Sequence, residues 1–425
     1  MDVILVLDHA HINGGQAKVA IESALGLAGR GHRVQVFAAV GPVDPRLAAA
    51  GVAVTCLDQP DIATTTSKLA FAAQMLWNGR ARDALAQALR GRDPGDTLVH
   101  VHAWAKSLSP SVFAAIAEAG LPAVYTMHEF FLVCPNGGFY DYQRHAICHR
   151  RPMSRSCVTT NCDMRSYPRK AMRVARHLLL EHAAHWPDGI RDVITISALQ
   201  EGVVGPLLPP ALRLHRVDNP ISVPDLGPKA APAQGPVVYV GRLSIEKGVG
   251  LFAEAARLAG ITPVLVGDGP EAEAIRGRYP DAVLLGWRDA AGVREALRDA
   301  SALVFPSIWY EGQPLTVYEA LALGTPVVVS DACAGREAVA DGQTGYWFPS
   351  GDAAALAERL RRLRDPATVA ALSAEAHRRY WQRPLTLERH LDRLEEVYGL
   401  VARRVALERA APGRRGRAQS GLAPG

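Results

Sequence analysis

Two hydrophobic patterns alternate along this chain. Short unbroken apolar runs at 3–7, 34–39, 51–56, 98–102, 123–126 and 192–197 each stop at polar or glycine residues. Between them, 17–29, 70–90, 109–119 and 168–185 space their apolar residues three or four apart. An unbroken apolar run of this length fits a strand buried on both faces of a parallel sheet, and the longer periodic stretches fit helices covering it. Their alternation predicts a doubly wound α/β domain. A proline-rich stretch at 206–236, containing Asn219-Pro220, interrupts the rhythm. A second series follows, with strands at 237–240, 262–266, 282–285, 302–306 and 327–330 and helices from Val249, Glu271, Ala291, Leu315 and Asp352.

The chain therefore divides into a first domain at 1–205, a linker at 206–236, a second domain at 237–375 and a long charged helix within 376–408. An irregular insertion rich in cysteine, glycine and proline occupies about 130–167. The small, polar, arginine-bearing tail at 409–425 is expected to be disordered. The fold expected is two tandem Rossmann-like domains facing a cleft.

Composition narrows the function. Hydrophobic residues make up 48% and charged residues 21% of the 425, which excludes disordered and fibrous chains. The net charge of +5, without basic clustering, gives no case for nucleic acid. Six cysteines do not make a disulfide framework. No apolar run reaches the roughly 18 residues of a membrane-spanning helix. The first residues read as a strand instead of a signal peptide, which points to a cytoplasmic protein with contact to the inner face of a membrane.

The second domain carries the candidate chemistry. Gly241 ends its first strand and opens Gly241-Arg242-Leu243-Ser244-Ile245-Glu246-Lys247-Gly248. A glycine there lets backbone N–H groups approach an anion, and Arg242 and Lys247 add two cations at the mouth of a helix. The loop reads as a diphosphate site or as a solvated surface turn. Gly267-Asp268-Gly269-Pro270-Glu271 imitates a dinucleotide fingerprint but falls on the second strand, where a tight strand-to-helix turn is the plainer reading. The segment Phe305 to Val328 places Glu311 in a strand-end loop and Glu319 early in the helix that follows. Both carboxylates sit where α/β sheets bind ligands and would accept hydrogen bonds from sugar and ribose hydroxyls. Backbone N–H groups of Gly312–Leu315 can hold phosphate.

Four features together resemble the family 4 retaining glycosyltransferases: Gly14-Gly15 after the first strand, GRLSIEKG, VGDGP, and two glutamates eight apart in EGQPLTVYEALALGTPVVVSD. The resemblance covers about 1–400 and implies the two-domain GT-B fold. It also implies transfer of a hexose or related sugar from a nucleoside-diphosphate sugar to an acceptor hydroxyl, on a carbohydrate or lipid-linked acceptor, in cell-surface polysaccharide or glycolipid synthesis. By resemblance Arg242, Lys247 and Gly241 hold the diphosphate. Glu311 bonds the donor sugar with help from Gly312, Gln313, Pro314 and Leu315, and Glu319 bonds the ribose. Gly286, with Leu285 and Trp287, lines the base pocket. Gly14 and Gly15 face the phosphates, or simply start a helix. His128, at a strand end, reaches the donor sugar or the reacting centre, or is structural. Gln313-Pro314 replaces the Phe-Gly common at that place. No cofactor is implied. The rivals are a sugar-nucleotide epimerase of the same fold, a dehydrogenase, and a non-catalytic nucleotide- or nucleic-acid-binding module.

Two features stand outside that resemblance. Cys134, Cys148, Cys157 and Cys162 either hold a tetrahedral structural zinc or are free loop thiols; they include no C-x-x-C pair. The helix after Pro168 sets Ala171, Val174, Ala175, Leu178 and Leu179 on one face, with Arg169, Lys170, Arg173 and Arg176 around them. It reads as a helix for an anionic membrane surface, or as one docked on its own domain with its basic face in water.

Overall fold

The computed structural model describes residues 1–62 and 64–410. The first sheet holds seven strands: β1 (Asp2–His9), β2 (Arg33–Val40), β3 (Ala53–Cys56), β4 (Thr97–Val101), β5 (Ala123–Thr126), β6 (Asp192–Thr195) and β7 (Arg213–Arg216). Their order is β3-β2-β1-β4-β5-β6-β7, and every pairing is parallel. The second sheet holds β8 (Val237–Val240), β9 (Pro263–Val266), β10 (Val283–Gly286), β11 (Ala302–Phe305), β12 (Val327–Ser330) and β13 (Gly345–Phe348). Its order, β10-β9-β8-β11-β12-β13, is also parallel throughout. The central strands are fully enclosed, as the unbroken runs predict: Val3, Ile4, Leu5 and Val6 have no exposed surface.

Four helices matter below: α1 (Gly15–Gly29), α2 (Tyr167–His182), α3 (Leu315–Ala322) and α4 (Leu387–Ala410). The last belongs to the first domain by packing. Leu391, Leu394, Val397, Tyr398 and Val401 are buried in one cluster with Val3, Leu5 and Ile21. The Tyr398 hydroxyl lies 2.6 Å from His100 Nδ1.

Several boundaries differ from the sequence reading. Residues 213–216, placed in the linker, form the edge strand β7. They contain no apolar run, and what ties them down is the parallel backbone ladder to β6, with His215 Nε2 2.9 Å from Asp192 Oδ1 and Leu214 packed on the core. The helix read at 70–90 is two, Lys68–Leu76 and Gly79–Leu89, because the Asn78 side chain caps the second by accepting from Ala81 N. The long helix read within 376–408 is also two, Pro366–Gln382 and α4, separated around Pro384, which cannot donate a helical hydrogen bond. The tail beyond Ala410 lies outside the described residues.

The largest correction concerns α2. Its basic residues face inward, not toward water or a membrane. Arg176 is buried and donates to the carbonyls of Ala105 (2.5 Å) and Pro135 (3.3 Å), with its guanidinium 4.8 Å from the Phe131 ring centre. Lys170 is wholly buried, whereas Ala171 and Leu178 of the expected apolar face are exposed. The physical reason is the insertion beside it, whose turns present backbone carbonyls and thiols that need donors. Among the described residues no helix is long and apolar enough to cross a membrane.

Leu394→Ala should cost about 2–5 kcal/mol in urea denaturation, because it empties a fully buried position that ties α4 to the first domain. A loss below about 1 kcal/mol would show that α4 is not part of that core.

Candidate active site

In both sheets the strands are parallel and helices follow their carboxyl ends, so helix N-termini gather on one edge of each sheet. Those two edges face each other across a cavity of about 280 Å³. Gly15 opens α1 from the first domain and Leu315 opens α3 from the second. A Cβ on Gly15 would lie 3.5 Å from Leu315 Cδ1, so the two N-termini nearly touch. Neither has a side-chain cap. Each presents free N–H groups and the positive end of a helix dipole to the same space. Such a pair of ends is suited to an anion.

Glu311 lies at the wall of this cavity. Its Oε1 takes an ion pair from Lys247 and hydrogen bonds from Ser307 Oγ (2.9 Å) and Trp309 Nε1 (2.6 Å). Oε2 has no protein partner among the described residues and is not among the buried unpartnered atoms, so it is open at the cavity wall. Burial pushes the Glu311 carboxyl up, but the Lys247 ammonium and the donated hydrogen bonds outweigh this and hold it below its ordinary value. Lys247 is placed by backbone geometry. Gly248, at φ +69°, turns the chain into the next helix, and a Cβ there would meet the Pro306 carbonyl oxygen at 2.0 Å.

The cavity brings together Gly14, Gly15, His128, Lys247, Glu311, Gly312, Gln313 and Leu315 of the expected residues. Glu319 stands behind α3's first turn and pairs across the domains with Lys18 of α1 at 3.4 Å. Pro314 caps the start of α3. Gln313 is buried and structural through its side chain: its Oε1 accepts from Asn219 N at 2.6 Å, which pins the linker. Gly241, Arg242 and Gly286 do not line this cavity. Arg242 is exposed and makes no ion pair among the described residues. Gly286 ends β10 beside Trp287, whose ring is 73% exposed. The VGDGP segment is a turn packed on its neighbour loop, with Leu243 N bonding the Asp268 carbonyl and Glu271 N the Leu243 carbonyl.

Lys106 and Glu129, which also line the cavity and pair at 3.8 Å, carry no signal in the sequence, nor does His102. His128 lines the cavity from the end of β5, and its Nε2 lies 3.1 Å from His102 Nδ1. Burial drives the His128 pKa down to about 3.

The four cysteines of the insertion lie near one another around Lys170. Among the described residues no three His, Cys, Asp or Glu are grouped to hold a metal. The cation in their midst is the chain's own: Lys170 Nζ lies 3.6 Å from Cys157 Sγ. Cys148 contacts Arg150 at 3.5 Å. Burial raises the Cys134 and Cys162 thiols above their ordinary value.

The family model described as Glycosyltransferase Family 4 matches residues 13–176, and that described as Glycosyl transferases group 1 matches 235–365. A phosphatidyl-myo-inositol mannosyltransferase of Mycobacterium leprae is 36% identical over 160 residues, covering 34% of this chain and 42% of that protein. A glycogen synthase of Mycobacterium tuberculosis is 36% identical over 162 residues, covering 36% and 38%. The chain thus spans less than half the length of these relatives. The crystal structure of Anabaena HepE in complex with UDP superposes with a TM-score of 0.65 at 17% identity, covering 94% of this chain and all of that one. This likeness shows the two-domain GT-B fold.

Lys247→Ala should destabilise the protein near neutral pH, by less than the about 3–5 kcal/mol of a fully buried broken pair. Glu311 has a depressed folded pKa, so its contribution is present above the ordinary carboxylate range and lost as pH falls through the folded value. In the variant an uncompensated carboxylate remains, which protonation relieves. The Tm gap between variant and wild type should therefore narrow on acidification to about pH 4.5. A gap constant with pH would refute the pairing.

Proposed function

The chain belongs to the family 4 glycosyltransferases, and we propose that it transfers a sugar from a nucleoside diphosphate to the hydroxyl of a carbohydrate or lipid-linked acceptor, with retention at the sugar carbon. The observation that carries this reading is the meeting of the α1 and α3 N-termini with Lys247 at one cavity. A diphosphate fits there, since two helix ends and an ammonium already point at the place where negative charge grows as the sugar–oxygen bond breaks. Arg242, unpaired and exposed, is free to reach the same group. Glu311 Oε2 accepts from a hydroxyl of the donor sugar. Glu319 exchanges its contact with Lys18 for the ribose, and the exposed Trp287 face offers a stacking surface to the base.

Retention rests on the family resemblance. In that scheme the departing phosphate takes the proton of the acceptor hydroxyl, and closing of the two domains excludes water. The relatives act on different substrates by name, so the donor is found by experiment. A thermal-shift screen against UDP-, GDP-, ADP- and dTDP-sugars should give a clear rise in Tm for one nucleotide class. No shift with any of them would count against the reading.

Arg242→Ala and Lys247→Ala should each lower kcat more than they raise the donor Kd, with kcat falling about 10²–10³-fold for Lys247. Lys247→Arg should not restore full activity, because a planar guanidinium differs in shape from a point charge. If kcat holds at the wild-type level while only Kd rises, the two cations hold the donor without assisting departure.

A further inference from the structure

Behind His128 lies a row of enclosed rings. His100 uses both ring nitrogens, Nδ1 toward Tyr398 Oη at 2.6 Å and Nε2 toward Thr126 Oγ1 at 2.7 Å. His102 stacks next to it with ring centres 3.9 Å apart, and His128 follows at 5.4 Å. His102 Nδ1 and His128 Nε2 are 3.1 Å apart. His102 Nε2 is buried and has no partner. Burial lowers the pKa of both rings, so each carries one proton.

Two arrangements are open to such a pair. If His128 Nε2–H donates, the His102 proton sits on Nε2, where it is an N–H buried without an acceptor. If His102 Nδ1–H donates, what remains at His102 Nε2 is an unused lone pair. Buried N–H groups without acceptors are rarer in proteins than under-used acceptors. The second arrangement puts the His128 proton on Nδ1. That atom has no protein partner among the described residues and is not among the buried unpartnered atoms, so it opens on the cavity.

We propose that His102 is a positioning residue that locks His128 as a neutral Nδ1–H donor aimed at a ligand oxygen in the cleft. His128 then gives a hydrogen bond to the donor substrate and does not act as a base toward the acceptor. The part of this that concerns turnover rests on the sugar-transfer reading; the protonation pattern does not.

The test reads the ring directly. In protein labelled with ¹⁵N-histidine, long-range proton–nitrogen correlation distinguishes Nδ1–H from Nε2–H, and His128→Gln assigns the signals by their loss. Wild type and His102→Asn, whose amide nitrogen stands near the Nδ1 position, should show His128 as Nδ1–H. His102→Phe should shift it toward Nε2–H. An Nε2–H tautomer in wild type, or no change in His102→Phe, overturns the proposal. If His102→Phe does not fold, the wild-type and His102→Asn spectra still decide it. With a donor in hand, His102→Phe should lose about tenfold in kcat/KM for the donor, and His102→Asn should recover most of it. Equal losses in the two variants would reduce His102 to a packing role. A protein that turns over no sugar nucleotide would refute the transferase reading and leave the tautomer result standing.

Discussion

Two helices point their positive ends at one another across the cleft, and the rest of the molecule is arranged around that unfavourable approach. It follows from parallel sheets: when every strand runs the same way, the helices that follow them start on the same edge. Each domain alone would have one such edge. Turning the two edges face to face concentrates both sets of N–H groups, with Lys18, Lys106 and Lys247 close by. The carboxylates of Glu319, Glu129 and Glu311 each pair with one of these cations. The described chain thus balances its cations with its own acids, and an anionic ligand would compete for them.

The domains must be held so that this approach is kept and yet adjustable. One contact is a latch between N–H groups and a carboxylate: Glu337 of the second domain accepts from Ala198 N (3.0 Å) and Leu199 N (2.6 Å), the start of a helix in the first, and pairs with Arg216 at 3.0 Å. A second is Gln313, which clasps Asn219 of the linker from the loop that carries Glu311. The third is covalent, where the chain leaves Gln382 and returns as α4 to the first core. The first two are polar, the Glu337 latch exposed and the Gln313 clasp buried, which suits a joint; the third, with its row of buried apolar side chains, suits an anchor. A change at the linker reaches Glu311 through a single side chain.

Much of the fold was legible because parallel strands write themselves as continuous apolar runs. β7 escaped for the complementary reason: Arg213-Leu214-His215-Arg216 is an edge strand with a single apolar residue, so it writes no continuous apolar run. The loops that line the cavity were legible as glycines and carboxylates at strand ends. His102 was not, since its role depends on the register of β4 beside β5, which brings two side chains 26 residues apart to 3.1 Å. The direction of α2 was misread because sequence periodicity assigns cations to water. Lys170, Arg173 and Arg176 lie three apart and form the inward stripe of that helix.

That reversal joins the insertion to the cavity between the domains. Arg176 holds the Pro135 carbonyl, and Arg173 holds Asn136 and pairs with Asp163 at 3.2 Å. Lys170 sits among the thiols. Cations on one rigid helix therefore fix the turn that runs from Cys134 into Gly137 and Gly138. Gly137 accommodates the Phe131 ring, and a Cβ on Gly138 would lie 2.9 Å from the Trp309 ring, so both positions exclude a side chain. Trp309 in turn donates to Glu311 Oε1. The turn lies on the first domain and Trp309 on the second, so their contact exists only while the domains are together. Trp309 thus touches the wall of one half of the cleft with its ring while its N–H serves the carboxylate of the other half. The insertion, though it lies outside the strand-end loops, is thereby built into the wall of the cavity.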